Sequence, residues 1–375
     1  MMAPTEVLAR QHYATIAPIA GAAGVEVALL TGRDKGQARS EILDRLLSGA
    51  LPLVVGTHAL FQEGVAFRDL ALAVIDEQHR FGVHQRLELS GKGQATDVLV
   101  MTATPIPRTL MLTAYGDMEA SSLTEKPPGR RPVDTRAVPS ERLDEVIAAL
   151  RRRLAEGAKA FWVCPLVEDS AQVDLAAAET RYAELRRVFG PVVGLMHGRM
   201  KGEDKDRVMQ AFASGPVRLL VATTVIEVGV DVPDATVMVI EHAERFGLAQ
   251  LHQLRGRVGR GEKPSVCILL YSPPLSANAR ARLAIMRETE DGFRIAEEDL
   301  RLRGAGEVLG TRQSGMPTFR LADLAVHREL LNVARDDVRL ILAADPTLDG
   351  ERGRALRTLL YLFERDMAVK YLRSG

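Results

Sequence analysis

The sequence has two cysteines and one tryptophan in 375 residues. Cys164 and Cys267 sit in the apolar runs FWVCPLV and SVCILLY, so the expectation is two buried thiols in strands and no disulfide. No apolar stretch approaches the roughly 18 residues of a membrane span, and no signal peptide opens the chain. A cytoplasmic protein without membrane association is expected. Charge of either sign is not in excess, with Lys+Arg and Asp+Glu at 49 each. That excludes a uniformly basic nucleic-acid coat and confines any DNA contact to a local patch. A further absence concerns phosphate chemistry: Gly-x-x-x-x-Gly-Lys-Ser/Thr occurs nowhere. Asp34-Lys35-Gly36 and Gly91-Lys92-Gly93 lack the loop spacing and the hydroxyl residue after lysine.

What is present is an alternation of short apolar runs with amphipathic stretches, in two blocks. The first has runs at Val25–Thr31, Leu53–Thr57, Leu72–Asp76 and Val98–Thr102, with a helical stretch at Lys35–Ser48. The second has runs at Ala160–Pro165, Val192–His197, Arg218–Thr223, Thr236–Glu241 and Ser265–Tyr271. Helices are expected there over Glu141–Glu156, Leu175–Phe189 and Glu203–Ala213. Near-continuous apolar strands between such helices mean parallel sheets covered on both faces, hence an α/β chain with two sheet domains. Three prolines within Lys126–Pro132 mark a linker. The expected organisation is a first domain over 1–125, a linker over 126–135 and a second domain over 136–275. A charged helical segment over 276–320 and a helical tail over 321–375 follow.

Two patterns carry chemistry. The apolar run Leu70–Ile75 leads straight into Asp76-Glu77-Gln78-His79. Open α/β sheets bind ligands at strand carboxyl ends, where one acid can hold Mg²⁺ and the next can orient water. Alone, this reads better as a solvated acid pair after a strand. The second pattern is Gln253-Leu254-Arg255-Gly256-Arg257-Val258-Gly259-Arg260. Arg257 and Arg260 are three apart, so on a helix both guanidinium groups would face the same way. Such a pair can stabilise a transferring phosphoryl group. Either arginine alone reads better as a solvated or DNA-contacting charge, but the full spacing after an acid pair in another domain is a strong signal.

With these motifs in hand, the chain resembles the superfamily-two helicases and closely resembles the RecG family. Ala3-Pro4-Thr5-Glu6 with Gln11 is similar to motif Ia, Gly56–Leu60 to Ib, and Asp76–Val83 to II with its family extension. Thr102–Arg108 is similar to motif III, Met196–Met200 falls in the region of IV, and Thr223–Pro233 and Gln253–Arg260 are similar to V and VI. The linker Pro127–Pro132, and Gly292-Phe293 through Gly315 with its Leu309-Gly310-Thr311-Arg312-Gln313, resemble that family's linker and translocation hairpin.

The resemblance implies two RecA-like motor domains, the first truncated at its amino end, then a helical hairpin and tail. ATP and Mg²⁺ would be the cofactors, with Asp76 on the metal and Glu77 as general base. His79, Gly229, Asp231 and Gln253 would contact nucleotide, and Arg257 and Arg260 would be arginine fingers. Pro4, Thr5, Thr57, Thr223 and Thr224 would mark DNA-contacting segments. Thr102, Thr104, Arg282, Arg303 and Gln313 would couple nucleotide state to movement on DNA, although Arg282 reads equally as ordinary surface helix charge. The implied activity is ATP-dependent helicase or translocase action on branched DNA in recombination and repair, by a monomer. The phosphate loop, its strand and the wedge domain of the family would lie upstream, and activity would need that amino-terminal segment. The alternative is a catalytically inactive DNA-binding or scaffolding fragment.

Overall fold

A computed structural model describes residues 1–62, 64–77, 92–93, 96–103, 121–165, 171–223, 232–308 and 328–363. The chain divides into two compact units, Met1–Thr104 with Glu125–Ile295, and Pro105–Thr124 with Ala296–Gly375.

The first unit holds two parallel sheets. Its amino-terminal lobe opens with α1 (Glu6–Ala22), which starts at Thr5 because the threonine Oγ1 accepts the Leu8 N–H at 3.3 Å and Glu6 sits in the first turn. Then come β1 (Val27–Leu30), α2 (Gly36–Ser48), β2 (Leu53–Gly56), β3 (Leu72–Ile75) and β4 (Asp97–Val100). β1 pairs in parallel with β2, and β3 with β4. Met2 bridges Gly56 and Ile75 and so stitches the two pairs into one sheet. Its N–H donates to Val74 O at 2.7 Å, and its carbonyl accepts from the Asp76 N–H at 2.9 Å. Gly56 is required where it stands, because a Cβ there would lie 2.3 Å from Leu30 O. Met2, Leu30, Leu46, Val54, Leu60 and Ile75 form the core under this sheet.

The second lobe contains β5 (Val133–Pro139), α3 (Leu143–Ala155), β6 (Lys159–Val163), α4 (Ala171–Phe189) and β7 (Val193–Met196). It continues with α5 (Gly202–Ala213), β8 (Leu219–Ala222), β9 (Ala235–Ile240), α6 (Leu248–Arg255), β10 (Ser265–Tyr271) and α7 (Ala277–Glu288). Its six strands run in the order β5-β10-β9-β6-β8-β7, every pair parallel. β9 and β8 are buried at every position, as the near-continuous apolar runs require of a sheet covered on both faces. Trp162 and Leu185 are fully enclosed in this core. The architecture is the expected α/β fold with RecA-like sheets. β5 begins inside the stretch read as linker: Asp134 and Arg136 are exposed and interrupt the apolar run, which an edge strand paired only to β10 tolerates.

Within the first unit, Arg33 bridges Glu6 at 2.9 Å and Asp206 on α5 at 2.8 Å. α8 (Gly292–Val308) starts in this unit. The second unit contains α9 (Arg328–Ala344) and α10 (Glu351–Leu362), joined by a turn in which the Asp345 carboxylate accepts the N–H groups of Asp349 at 3.0 Å and Gly350 at 2.8 Å.

Candidate active site

The chemistry-bearing residues of the first lobe gather at the carboxyl end of its sheet. Asp76 follows β3 directly, and its N–H is held by Met2 O. Its Oδ1 accepts the Glu77 N–H at 2.8 Å, and its Oδ2 lies 2.7 Å from His12 Nε2 on α1. Glu77 is 7% exposed and sits at φ +50°. A non-glycine residue in that left-handed region is a strained position, and such positions concentrate at functional sites. Thr5 caps α1 beside this edge, and Pro4 precedes it. Thr57, at the end of β2, is 3% exposed and donates its N–H to Leu30 O at 3.4 Å. Thr102 follows β4 and is half-buried.

His12 was not singled out from the sequence. Its signal is position: with Ala9, Tyr13, Ile16 and Ala20 it falls on the inward stripe of α1, and a polar side chain on such a stripe needs a partner.

In the second lobe, Thr223 ends β8, is 3% exposed and donates its N–H to Met196 O at 3.3 Å. The Thr57 hydroxyl is not presented at the surface in this conformation. Gln253 lies on α6, half-buried. The arginine pair corrects the sequence expectation. α6 ends at Arg255, and Arg257 and Arg260 lie in the turn beyond it, where Gly259 takes φ +72°. They do not share a helix face: Arg257 is 6% exposed, whereas Arg260 is exposed with its Nε donating to Gly256 O at 3.1 Å. Gly259 stands where the turn takes a positive φ, a backbone that side-chain-bearing residues rarely adopt.

Arg255 is the larger omission. It is 3% exposed, and its Nη1 donates to Met286 O at 2.7 Å and Thr289 O at 2.9 Å, with Nη2 3.2 Å from His252 Nδ1. It thus caps the carbonyl end of α7. Burial first, and then the Arg255 charge, push His252 down to about 4. Next in the chain, burial alone would raise Glu290, but hydrogen bonds from Lys126 and the Val133 N–H outweigh it and hold the carboxyl below its usual range. Lys126 belongs to the proline linker, so linker, α6 and the end of α7 form one connected network.

Arg282 is not a solvated helix charge. Its Nη1 donates to Phe246 O at 2.7 Å and its Nη2 to Glu244 O at 2.9 Å, tying α7 to the turn before α6. Arg303 lies on α8, and its side chain is outside the described residues. His79, Thr104, Thr224, Gly229, Asp231 and Gln313 also lie outside them.

Both cysteines are free and buried, Cys267 within β10 and Cys164 one residue beyond β6. Burial pushes the Cys267 thiol up to about 12 and raises Cys164 as well, so neither is a nucleophile. Among the described residues no cluster of three or more His, Cys, Asp or Glu could hold a metal ion. No helix among them is long and apolar enough to cross a membrane.

The site thus consists of two RecA-like sheets, with an acid pair at the end of one and an arginine turn after α6 in the other. Residues 1–113 match the DEAD/DEAH box helicase model, and 141–262 match the helicase conserved C-terminal domain. Residues 289–360 match the model "ATP-dependent DNA helicase RecG, domain 3, C-terminal". The chain is 54% identical over 347 residues to ATP-dependent DNA helicase RecG of Acidithiobacillus ferridurans, which covers 92% of this chain and 51% of that relative. It is 48% identical to RecG of Bacillus subtilis, with the same two coverages. A solved structure of RecG bound to a three-way DNA junction superposes with a TM-score of 0.69 at 45% identity, covering 88% of this chain and 43% of that one. S. cerevisiae Dbp5 bound to RNA and ADP BeF3, at 15% identity and TM-score 0.58, shares the fold. The chain belongs to the RecG family. It spans about half the length of the curated relatives it matches.

Proposed function

We propose that the chain supplies the motor part of a RecG-type, ATP-dependent DNA helicase acting on branched DNA in recombination and repair. The observation that carries this is the carboxyl end of β3, where Asp76 is oriented by two hydrogen bonds and Glu77 is buried in a strained backbone conformation. Hard carboxylate oxygen suits Mg²⁺, whose remaining ligands would be water and phosphate oxygen. Glu77 would be the general base and Gln253 a nucleotide contact, with Arg257 and Arg260 on phosphate. His79, Gly229 and Asp231 keep the nucleotide-contacting roles that the family resemblance implies. The fit to ATP is partial. A Gly-rich Lys loop has no counterpart in this sequence, and without its N–H cradle the β and γ phosphates lose most of their donors. No hydrolytic step therefore follows for the chain by itself.

DNA would be met through phosphates by the segments that Pro4, Thr5, Thr57, Thr223 and Thr224 mark. Thr102, Thr104, Arg282, Arg303 and Gln313 would transmit nucleotide state. Branched DNA is the proposed substrate because the RecG of known structure is bound to a three-way junction. A monomer in the cytoplasm belongs to the same reading. The second reading is a catalytically inactive DNA-binding or scaffolding fragment.

Fluorescence anisotropy with a forked and a linear DNA tests the DNA half of this. Tighter binding to the fork, with log affinity falling linearly in log salt, is expected. Absent or salt-insensitive binding would remove both readings, and binding that ATP leaves unchanged after a phosphate-loop segment is restored would favour the second.

A further inference from the structure

The proline linker grips the arginine turn through a side chain. Arg130 Nε donates to the carbonyl of Gly259 at 3.1 Å, 129 residues further along the chain. We propose that Arg130 is a positioning residue for the motor: by holding Gly259 O, the linker sets the backbone from which Arg257 and Arg260 reach phosphate. The inference rests on the proposed phosphate role of those two arginines and adds the side chain that aims them.

The turn needs an outside partner. α6 ends at Arg255, and beyond it the Arg257 N–H donates to Leu254 O at 3.0 Å and the Val258 N–H to Arg255 O at 3.2 Å. Gly259 then takes φ +72°, and past it no helical ladder determines where the chain goes. A hydrogen bond from an ionised donor is about twice as strong as a neutral one, and the planar guanidinium fixes its direction. The arm that carries Arg130 is itself stiff. Pro127 O accepts the Arg130 N–H at 3.4 Å around Pro128 and Gly129, the latter at φ +82°, which is the pattern of a type II turn. Three residues on, Val133 is anchored beside Ser265 in the β5–β10 pairing and donates its N–H to Glu290. The Val133 side chain packs on Gly259, where a Cβ would meet its Cγ2 at 2.6 Å. Arg130 and Arg260 line one hollow between the two turns. Arg130 also joins burial and Arg255 in holding His252 of α6 low, so its charge lies close to the helix that leads into the turn.

The test substitutes Arg130→Met in the full chain and follows amide hydrogen exchange at Arg257 and Val258. Exchange there is expected to quicken by about tenfold or more, while the Val239 amide in β9 keeps its rate. Arg131→Met removes the neighbouring exposed charge without touching the contact, and should leave both turn amides as they are. The chain joined to an upstream phosphate-loop segment supplies the kinetic readout. There Arg130→Met should lower kcat by about ten- to a hundredfold. KM for ATP should stay within about twofold, as for a group acting through residues that meet the transition state. Unchanged exchange in the turn, or equal quickening at Val239, would overturn the proposal. A loosened turn with kcat intact would do the same, whether or not KM rises. An unsubstituted fusion without hydrolysis would instead overturn the proposed activity, and exchange would still decide whether the linker holds the turn.

Discussion

Nε2 of His12 lies 2.7 Å from Oδ2 of Asp76, so the first helix of the chain holds the carboxylate that ends β3. The other oxygen of Asp76 accepts the Glu77 N–H. The acid proposed for the metal is therefore fixed from two sides, and its neighbour's strained backbone is fixed with it. Replacing His12 with alanine removes a hydrogen bond to a carboxylate, a contribution of about 1.5–3 kcal/mol. Urea unfolding should report a loss in that range, and a loss below a few tenths would mean that Asp76 is positioned by other groups.

Arg255→Met should destabilise the second lobe by roughly 2–4 kcal/mol, because two α7 carbonyl contacts and the His252 contact go at once. Arg255→Lys should not restore it, since an ammonium cannot reproduce the planar fork. Full rescue by lysine in a thermal melt would contradict the capping role.

Two groups make stability fall on acidification. His252 has a folded value of about 4 against an ordinary 6.5, so between these values the unfolded chain binds more protons. Stability therefore rises with pH across about 4 to 6.5, by on the order of 3 kcal/mol at full expression. His252→Gln should flatten that part of the unfolding profile.

The Met1 ammonium, at about 6 against 8.0, acts in the next window. The unfolded chain again holds more protons, so stability rises from about pH 6 to pH 8, by on the order of 2 kcal/mol. Amino-terminal acetylation should abolish the rise, and a persistent slope in the acetylated chain would assign it elsewhere.

Gly259→Ala tests the arginine turn. A Cβ there would meet Val133 Cγ2 at 2.6 Å, at a φ that disfavours side chains. A loss of about 1–3 kcal/mol in thermal unfolding is expected. A neutral result would mean the turn accepts a helical backbone, and the two arginines could share a face after all.

The buried strands of the second lobe were legible because a sheet covered on both faces demands near-continuous apolar runs, as in β8 and β9. β5 was not, since an edge strand tolerates Asp134 and Arg136 on its exposed positions. The segment Arg255-Gly256-Arg257-Val258-Gly259-Arg260 is compatible with helical spacing, but the helix ends at Arg255 and Gly259 takes a positive φ, so its arginines separate. His12 and Arg255 escaped for a different reason. Their partners lie 64 and 31 to 34 residues away, and no local pattern encodes a contact of that range. The acid pair was legible because strand and acids adjoin in the chain.

Asp76, Glu77 and the arginine turn are proposed as the catalytic half of a DNA-dependent ATPase. The most direct measurement joins the chain to an upstream segment carrying a Gly-rich Lys-Ser/Thr loop and records ATP hydrolysis with and without forked DNA. DNA-stimulated hydrolysis is expected, abolished by Glu77→Gln and reduced by about a thousandfold or more by Arg257→Ala. Hydrolysis that survives Glu77→Gln, or none at all from a folded, DNA-binding fusion, would contradict it.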